Sequence, residues 1–121
     1  MNPILAIFFD FDGVILDSMH LKLESYCFAL QQYNFPRSEI RRIQLRLAGL
    51  SRHEVLYAIV NELNGPPSLD EARQLGESFS EHDISLISAM KPVPGSMEFL
   101  KIVSRDYFTT IITGTPQVSI K

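Results

Sequence analysis

The sequence predicts an α/β protein in which a small parallel sheet is interrupted by a helical insertion. Short, continuously apolar runs at residues 4–9 and 109–112 are typical of strands buried on both faces of a parallel sheet. Between them, residues 18–91 repeat the spacing of amphipathic helices and carry the signals that begin and end helices. Residues 1–17 and 92–121 are therefore expected to form one α/β core, with the helical domain inserted after its first strand.

The composition is that of an ordinary globular protein and excludes several functional classes. The 121 residues are 45% hydrophobic and 21% charged, with a formal net charge of −3, which does not fit a disordered chain. The mild acidity provides no basic surface for nucleic acid. The longest apolar run, residues 4–9, is too short to cross a membrane and has no signal-peptide pattern. We expect a cytoplasmic protein that binds neither nucleic acid nor membrane; the sequence leaves its oligomeric state open.

Four helices are predicted within the insertion, because apolar side chains recur there at helical spacing. They are expected over residues 19–33, 37–48, 52–63 and 69 to about 89. Ser18 is a candidate N-cap for the first helix. Ser51 with Glu54, and Ser68 with Glu71, have the spacing of a capping box at the start of the third and the fourth.

The chain then returns to the core. Residues 91–95 (KPVPG) form a rigid connector and mark the predicted boundary. A helix is expected over residues 96–104, followed by the second strand at 109–112. Residues 113–116 (TGTP) would turn the chain into the opening of another helix.

Two carboxylates directly follow the first predicted strand. Asp10 and Asp12 stand at positions i and i+2, so an extended backbone places them on the same side. Ligands of open α/β sheets bind beyond the carboxyl ends of the strands. Neighbouring carboxylates suit a hard cation such as Mg²⁺ or a division into acid and base roles, and a carboxylate can attack phosphorus to form an aspartyl-phosphate. The alternative is a solvated turn that ends the strand.

The string around these carboxylates resembles a known motif. Residues 8–18 (FFDFDGVILDS) are similar to the first motif of the haloacid dehalogenase superfamily of phosphatases and phosphotransferases. Residues 111–116 resemble its second motif, residues 18–91 resemble its α-helical cap, and residues 47–52 resemble the substrate-facing loop of that cap. The nearest subgroup resembles phosphoglycolate phosphatase and β-phosphoglucomutase. The resemblance implies a Rossmann-like parallel-sheet core, incomplete here, with an inserted α-helical cap.

The resemblance also implies roles for particular residues. Asp10 would be the nucleophile that attacks phosphorus and a Mg²⁺ ligand through its side chain. Asp12 would be the general acid and base, and its backbone carbonyl would bind Mg²⁺. Thr113 and the backbone N–H of Gly114 would hold the transferring phosphoryl group. Charge spreads over the phosphoryl oxygens during transfer, so positioning and electrostatic stabilisation are the main requirements.

A second set of candidates lies in the insertion. Gly49 and Arg52 belong to the loop that resembles the substrate-facing loop, and a guanidinium suits a phosphorylated ligand. The structural alternative is a helix that ends at Gly49, with Arg52 exposed at the first position of the next helix. Asp17 and Ser18 are interpreted as the start of the linker to the cap, and helix capping is favoured over ligand contact.

The other reactive side chains are expected to be structural. His20, His53 and His82 are interpreted as helix-surface residues rather than catalytic groups. Cys27 is the single cysteine, which excludes an intrachain disulfide. It lacks the neighbouring Cys or His residues of a zinc site and is expected to lie in the core.

The resemblance further defines which family features the 121 residues lack. Later motifs of the family supply a Lys or Arg that neutralises the phosphate and acidic residues that complete the Mg²⁺ site, and the sequence ends before either. The resemblance therefore covers only about the N-terminal half of a complete member. We expect a truncated chain or fragment that binds Mg²⁺ weakly and has little or no turnover alone.

These observations predict a Mg²⁺-dependent phosphatase that acts on a small phosphorylated metabolite, with phosphoglycolate as one candidate. Two alternatives remain at this point. One is a phosphomutase of the same family. The other is a non-catalytic truncated interaction module, or a half-domain that a partner completes.

Overall fold

The computed structural model describes residues 3–113 of the chain. Within this range the chain divides into two compact units. One combines the residues up to Met19 with those from Ser88 onward and contains all the described strands. The other, His20–Ile87, is helical. The assignment of these parts as the core and the cap of an enzyme stays a prediction.

Four short strands belong to the α/β unit. They are β1 (Ala6–Asp10), β2 (Leu16–Asp17), β3 (Lys91–Pro92) and β4 (Phe108–Ile112). β1 and β4 pair in parallel, from Ala6 opposite Phe108 to Asp10 opposite Ile112. Aromatic and β-branched side chains predominate in both strands and suit the pleated backbone. The predicted α/β class with a parallel sheet is confirmed, with β1 beginning and ending slightly later than expected.

The pairing between β2 and β3 was not predicted. They are antiparallel, with Leu16 opposite Pro92 and Asp17 opposite Lys91. The N–H of Val93 extends the contact by donating to the Ile15 carbonyl at 2.9 Å. Strands of two residues have no periodicity to detect, which is why sequence patterns miss them.

The described residues contain five α-helices. They are α1 (Met19–Ala29), α2 (Arg37–Arg46), α3 (Arg52–Asn64), α4 (Leu69–Ser85) and α5 (Ser96–Val103). α5 belongs to the α/β unit and contacts β1 through the rings of Phe9 and Phe99, whose centroids lie 6.1 Å apart edge to face. Gly95 precedes α5 with a φ of +82°, a conformation that suits glycine.

Three predicted helices were too long at their C-terminal ends. The first was expected to reach residue 33, but α1 ends at Ala29 and a 3₁₀ turn covers Gln31–Tyr33. The fourth was expected to reach about residue 89, but α4 ends at Ser85 and a 3₁₀ turn covers Ile87–Ala89. α2 ends two residues early, at Arg46. A 3₁₀ turn keeps apolar residues at i and i+3, so the sequence pattern continues where the α-helix has stopped.

The helical unit encloses one hydrophobic core. Its members come from α1 to α4 and the turn after α1: Leu23, Tyr26, Ala29, Leu30, Ile40, Ile43, Val55, Leu56, Ile59, Val60, Leu75 and Phe79. Tyr26 and Phe79 pack ring against ring, with centroids 4.5 Å apart. Burial of this many large apolar side chains is the main source of stability for the unit.

Capping residues define where α3 and α4 begin. Ser51 Oγ accepts a hydrogen bond from the Glu54 N–H, and the Glu54 carboxylate accepts one from the Ser51 N–H at 2.8 Å, which confirms the predicted capping box. The hydrogen bond from the Ser51 N–H lowers the pKa of Glu54. Ser68 Oγ accepts from the Glu71 N–H at 3.1 Å, and α4 begins directly after Ser68.

Candidate active site

A tight loop joins β1 to β2. Gly13 adopts a φ of +77°, which side chains rarely permit. The Phe11 carbonyl accepts hydrogen bonds from the N–H groups of Ile15 at 2.9 Å and Leu16 at 3.1 Å, and the Leu16 carbonyl accepts one from Gly13 at 2.8 Å. These bonds fix the loop, so the fold determines the backbone position of Asp12.

Asp10 is the last residue of β1, and it is exposed. The N–H of Phe11 donates to Asp10 Oδ1 at 2.7 Å. This bond holds the carboxylate close to the end of the strand. An exposed and oriented carboxylate in this position can contact a ligand that approaches the carboxyl edge of the sheet.

Asp12 lies two residues further on and is half-buried. Ser18 Oγ donates a hydrogen bond to Asp12 Oδ1 at 2.7 Å, and Ser18 is fully buried. Ser18 was interpreted as a helix cap, and its contact with Asp12 was missed. A buried hydroxyl so close to a carboxylate oxygen restricts the rotation of the Asp12 side chain. The sequence signal that could have predicted this hydrogen bond is a carboxylate just before Gly13 and a serine a few residues after it.

Thr113 follows β4 directly and is half-buried. Since Asp10 is opposite Ile112 in the parallel pair, Asp10 and Thr113 lie at the same edge of the sheet. Gly114, the other predicted phosphate-binding residue, lies outside the described residues. The parallel register thus places Asp10 and Thr113 at the carboxyl edge, and Asp12 lies in the loop that follows β1.

The oxygen atoms at this edge match the ligands that Mg²⁺ prefers. Asp10 and Asp12 provide two carboxylates and a backbone carbonyl, which are hard donors. Among residues 3–113, no group of three or more His, Cys, Asp or Glu side chains is arranged to hold a metal ion. The donor set therefore fits Mg²⁺ in kind, and its role as a metal site stays a prediction.

The two candidates in the insertion occupy different environments. Gly49 lies in the turn after α2 with a φ of +98°, consistent with a glycine that ends a helix. Arg52 is the first residue of α3 and is half-buried rather than exposed. Its Nη1 donates to Ser80 Oγ at 2.8 Å, and its guanidinium carbon lies 5.1 Å from the centroid of the Phe79 ring. These contacts hold Arg52 against α4, and its role toward a substrate stays a prediction.

The histidines and the cysteine lie in the helical unit. His82 is half-buried, not a simple surface residue: its ring stacks on Phe28 with centroids 4.4 Å apart, and its Nδ1 lies 3.1 Å from the buried Ser25 Oγ. His20 and His53 are exposed. Cys27 is half-buried against the core, and burial raises the pKa of its thiol.

Comparison with models of protein families shows to which family the chain belongs. The sequence model of the haloacid dehalogenase-like hydrolases matches residues 7–121, which is nearly the whole chain. The chain belongs to this family. Of the curated proteins compared with it, none matches. No helix in the described part of this family member is long and apolar enough to cross a membrane.

Solved structures of similar fold extend well beyond this chain. A hydrolase from Pseudomonas syringae has a TM-score of 0.78 at 22% identity, covering 98% of this chain and 52% of its own. A predicted phosphoglycolate phosphatase from Haemophilus somnus scores 0.71 at 19% identity, covering 94% and 52%. A Thermotoga maritima protein provisionally named β-phosphoglucomutase scores 0.61 at 27% identity, covering 97% and 53%. The chain thus spans about half the length of these haloacid dehalogenase-like proteins.

Proposed function

We propose that this chain contributes the nucleophile and the general acid and base to a phosphatase that acts on a small phosphorylated metabolite. The observation that carries the proposal is the register of β1 and β4, which puts Asp10 and Thr113 at one edge of the sheet, with Asp12 in the loop directly after β1. The match to the hydrolase family supports the reaction class.

The first half of the proposed reaction transfers the phosphoryl group to Asp10. A carboxylate oxygen of Asp10 attacks phosphorus, and the bond between phosphorus and the leaving oxygen breaks. Asp12, in its protonated form, gives its proton to that oxygen, so the product leaves as an alcohol. The Thr113 hydroxyl donates to a phosphoryl oxygen and stabilises the charge that spreads there.

The second half returns Asp10 to its starting state. Asp12 accepts a proton from water, whose oxygen attacks the phosphorus of the aspartyl-phosphate. The bond between phosphorus and the Asp10 oxygen breaks, which releases inorganic phosphate. The hydrogen bond from Ser18 keeps Asp12 in one orientation for both proton transfers. Mg²⁺, bound by Asp10 and the Asp12 carbonyl, would neutralise negative charge as the carboxylate and the phosphate approach.

The proposal is tested by locating the phosphorylated residue. The 121-residue chain is incubated with Mg²⁺ and p-nitrophenyl phosphate, then treated with borohydride, which reduces an aspartyl-phosphate to homoserine. Because the chain alone is expected to have little or no turnover, we expect a small yield of homoserine at position 10, none in Asp10→Asn, and more in Asp12→Asn, where hydrolysis of the intermediate is blocked. Asp106→Asn, an exposed change in the same unit, is the matched control. Modification at another residue, or an unchanged signal in Asp10→Asn, would contradict the proposal.

The β-phosphoglucomutase name of the Thermotoga maritima protein motivates a second candidate, a phosphomutase. Both reactions begin with the same attack by Asp10, and they differ in the group that accepts the phosphoryl from it. Water yields inorganic phosphate, whereas a sugar hydroxyl yields a new phosphate ester. Supplying the isolated phospho-form with glucose 6-phosphate or buffer alone distinguishes them: appearance of a bisphosphate, rather than free phosphate alone, favours the phosphomutase.

A further inference from the structure

Arg52 is a half-buried cation of the helical unit that has no carboxylate partner among the described residues. Four other arginines of that unit are exposed, and each pairs with a carboxylate: Arg37, Arg42, Arg46 and Arg73. A charge that is partly removed from water costs free energy unless other groups stabilise it. The contacts of Arg52 therefore determine what this guanidinium can do.

Two residues of α4 contact the guanidinium of Arg52. Its central carbon lies 5.1 Å from the centroid of the Phe79 ring, a distance at which a cation is attracted to an aromatic face. Its Nη1 donates to Ser80 Oγ at 2.8 Å. The Ser80 hydroxyl donates its one proton to the Gly76 carbonyl at 2.9 Å, so a lone pair of the oxygen is left for Arg52. The other N–H donors of the guanidinium make no hydrogen bond to the described residues.

Gly76 also determines the position of the residue next to Arg52. A Cβ added at this buried position of α4 would lie 2.5 Å from Cε1 and 2.6 Å from Nδ1 of the His53 ring. Packed atoms do not approach so closely, so any other residue at position 76 would displace the imidazole. Because His53 directly follows Arg52 in the first turn of α3, α4 contacts that turn at two successive residues.

We propose that Ser80 and Gly76 are positioning residues that orient Arg52 toward an anionic group of the ligand. This role rests on the proposed function for the ligand class, a phosphorylated metabolite, and it adds residues of α4 that act through Arg52. A guanidinium whose orientation is already fixed loses less side-chain entropy when an anion binds, so it binds more tightly than a freely rotating arginine. Its N–H groups that Ser80 does not engage suit the oxygens of a phosphate.

Phosphate binding can be measured at Arg52 itself. The 121-residue chain is titrated with inorganic phosphate at constant ionic strength, and the Nε–Hε signal of Arg52 in NMR spectra gives the dissociation constant. The same signal of Arg41, an exposed arginine of α2, reports nonspecific association. We expect phosphate to shift the Arg52 signal with saturation and to leave the Arg41 signal nearly unchanged.

Variants of Ser80 test its positioning role. Ser80→Ala removes the acceptor of the Nη1 hydrogen bond, and we expect it to weaken phosphate binding at Arg52 by at least about threefold. Ser80→Thr keeps the hydroxyl and should retain the affinity. The matched control is Ser85→Ala, which removes another α4 hydroxyl that bonds a backbone carbonyl of its own helix and should leave phosphate binding unchanged.

Substitution of Gly76 gives a second, independent test. Gly76→Ala should displace the His53 ring and weaken phosphate binding at Arg52 by a similar factor. Adding His53→Ala removes the ring that the new methyl group would meet, so the double variant should bind phosphate as His53→Ala alone does. Alanine favours a helix over glycine, so lower stability of α4 would not explain weaker binding.

Three results would overturn the proposal. Phosphate that shifts the Arg52 signal no more than the Arg41 signal would show that Arg52 does not bind the anion. Unchanged phosphate affinity in Ser80→Ala, with or without a lower urea midpoint, would leave Ser80 a purely structural role. Weaker binding in Gly76→Ala that persists after His53→Ala would remove the steric explanation. The proposed function fails on a different observation, the absence of homoserine at position 10, so the two failures are distinguishable.

Discussion

The helical unit and the α/β unit differ in how they use their apolar side chains. The helical unit buries twelve residues in one core contributed by four helices and a turn. In the described part of the α/β unit, Ile15 and Val103 are the buried apolar residues. Aromatic residues such as Phe8 and Phe108 stay exposed there. Sequence segments of similar hydrophobicity thus give one unit with its own core and another whose described apolar side chains stay largely exposed.

Both units form their strands or helices, but in the described residues the large hydrophobic core belongs to the helical unit. Four helices of ordinary length can close a core among themselves, since each contributes one apolar stripe. Two parallel strands cannot, because each face of the pair needs a covering layer. The candidate site residues Asp10, Asp12 and Thr113 lie on the α/β unit. We therefore expect the candidate active site to be less stable in the 121-residue chain than the helical core is.

The largest difference in the free energy of unfolding is expected between alanine substitutions of two phenylalanines, one in each unit. Phe79→Ala in the helical core, where Phe79 is 1% exposed, should lower the free energy of unfolding by about 3–5 kcal/mol. Phe8→Ala in the α/β unit should change it by less than about 0.5 kcal/mol, as surface substitutions do. Urea unfolding of the 121-residue chain, followed by circular dichroism, measures both. Equal losses would show that the two units share one cooperative core.

A smaller effect is expected at the start of α3. Ser51→Ala removes the hydroxyl that accepts from the Glu54 N–H, one of the two hydrogen bonds of the capping box, and should destabilise the helical unit by about 1 kcal/mol. Ser85→Ala is the matched control, because Ser85 is exposed in α4 and its hydroxyl bonds the His82 carbonyl rather than a free N–H. The same urea experiment applies. A loss as large in Ser85→Ala would remove the capping explanation.

A local effect is expected in the α/β unit. Ser18→Ala removes the donor to Asp12 Oδ1, so the Asp12 side chain should change from one rotamer to an average of several. The three-bond coupling between the Asp12 carboxyl carbon and its backbone nitrogen reports this in NMR spectra. Ser104→Ala, exposed in the same unit, should leave the coupling unaltered. A single retained Asp12 rotamer in Ser18→Ala would show that other contacts position the carboxylate.

The smallest effect concerns acid stability of the helical unit. Hydrogen bonds from Arg46 and Arg42 lower the pKa of Glu62 to about 2 from an ordinary 4.5. A lowered pKa contributes stability above the ordinary value, and that contribution is lost as pH falls from 4.5 toward 2. Glu62→Gln should therefore flatten the dependence of the urea midpoint on pH across this window. Salt should reduce the difference, because these charges are exposed.

The matched control for Glu62 is another glutamate of the helical unit. Glu81→Gln removes an exposed carboxylate from α4, so it changes the net charge by the same amount and leaves Arg42 and Arg46 paired with Glu62. This variant should keep the pH dependence of the unaltered chain. An identical flattening in Glu81→Gln would mean that overall charge, rather than the Arg42 and Arg46 contacts, sets the acid response.

The sequence predicted β1, β4, the start of α3 and the position of Asp10 and Asp12 after the first strand. Continuous apolar runs marked β1 and β4, and the Ser51 capping box marked the start of α3, because these signals are local. The β2–β3 pair and the contact between Ser18 and Asp12 depend on residues brought together by the fold, which periodicity does not encode. The contacts of Arg52 with the Phe79 ring and the Ser80 hydroxyl were not predicted for the same reason.

Residue-resolved hydrogen exchange of the 121-residue chain compares the two units amide by amide. Amides that exchange only on global opening lie in self-sufficient cores, while poorly covered elements exchange through local opening. We predict slow exchange within α1, α3 and α4 and much faster exchange within β1 and β4. Strand amides as slow as those of α3 would contradict this difference, because the α/β unit would then be as stable as the helical core.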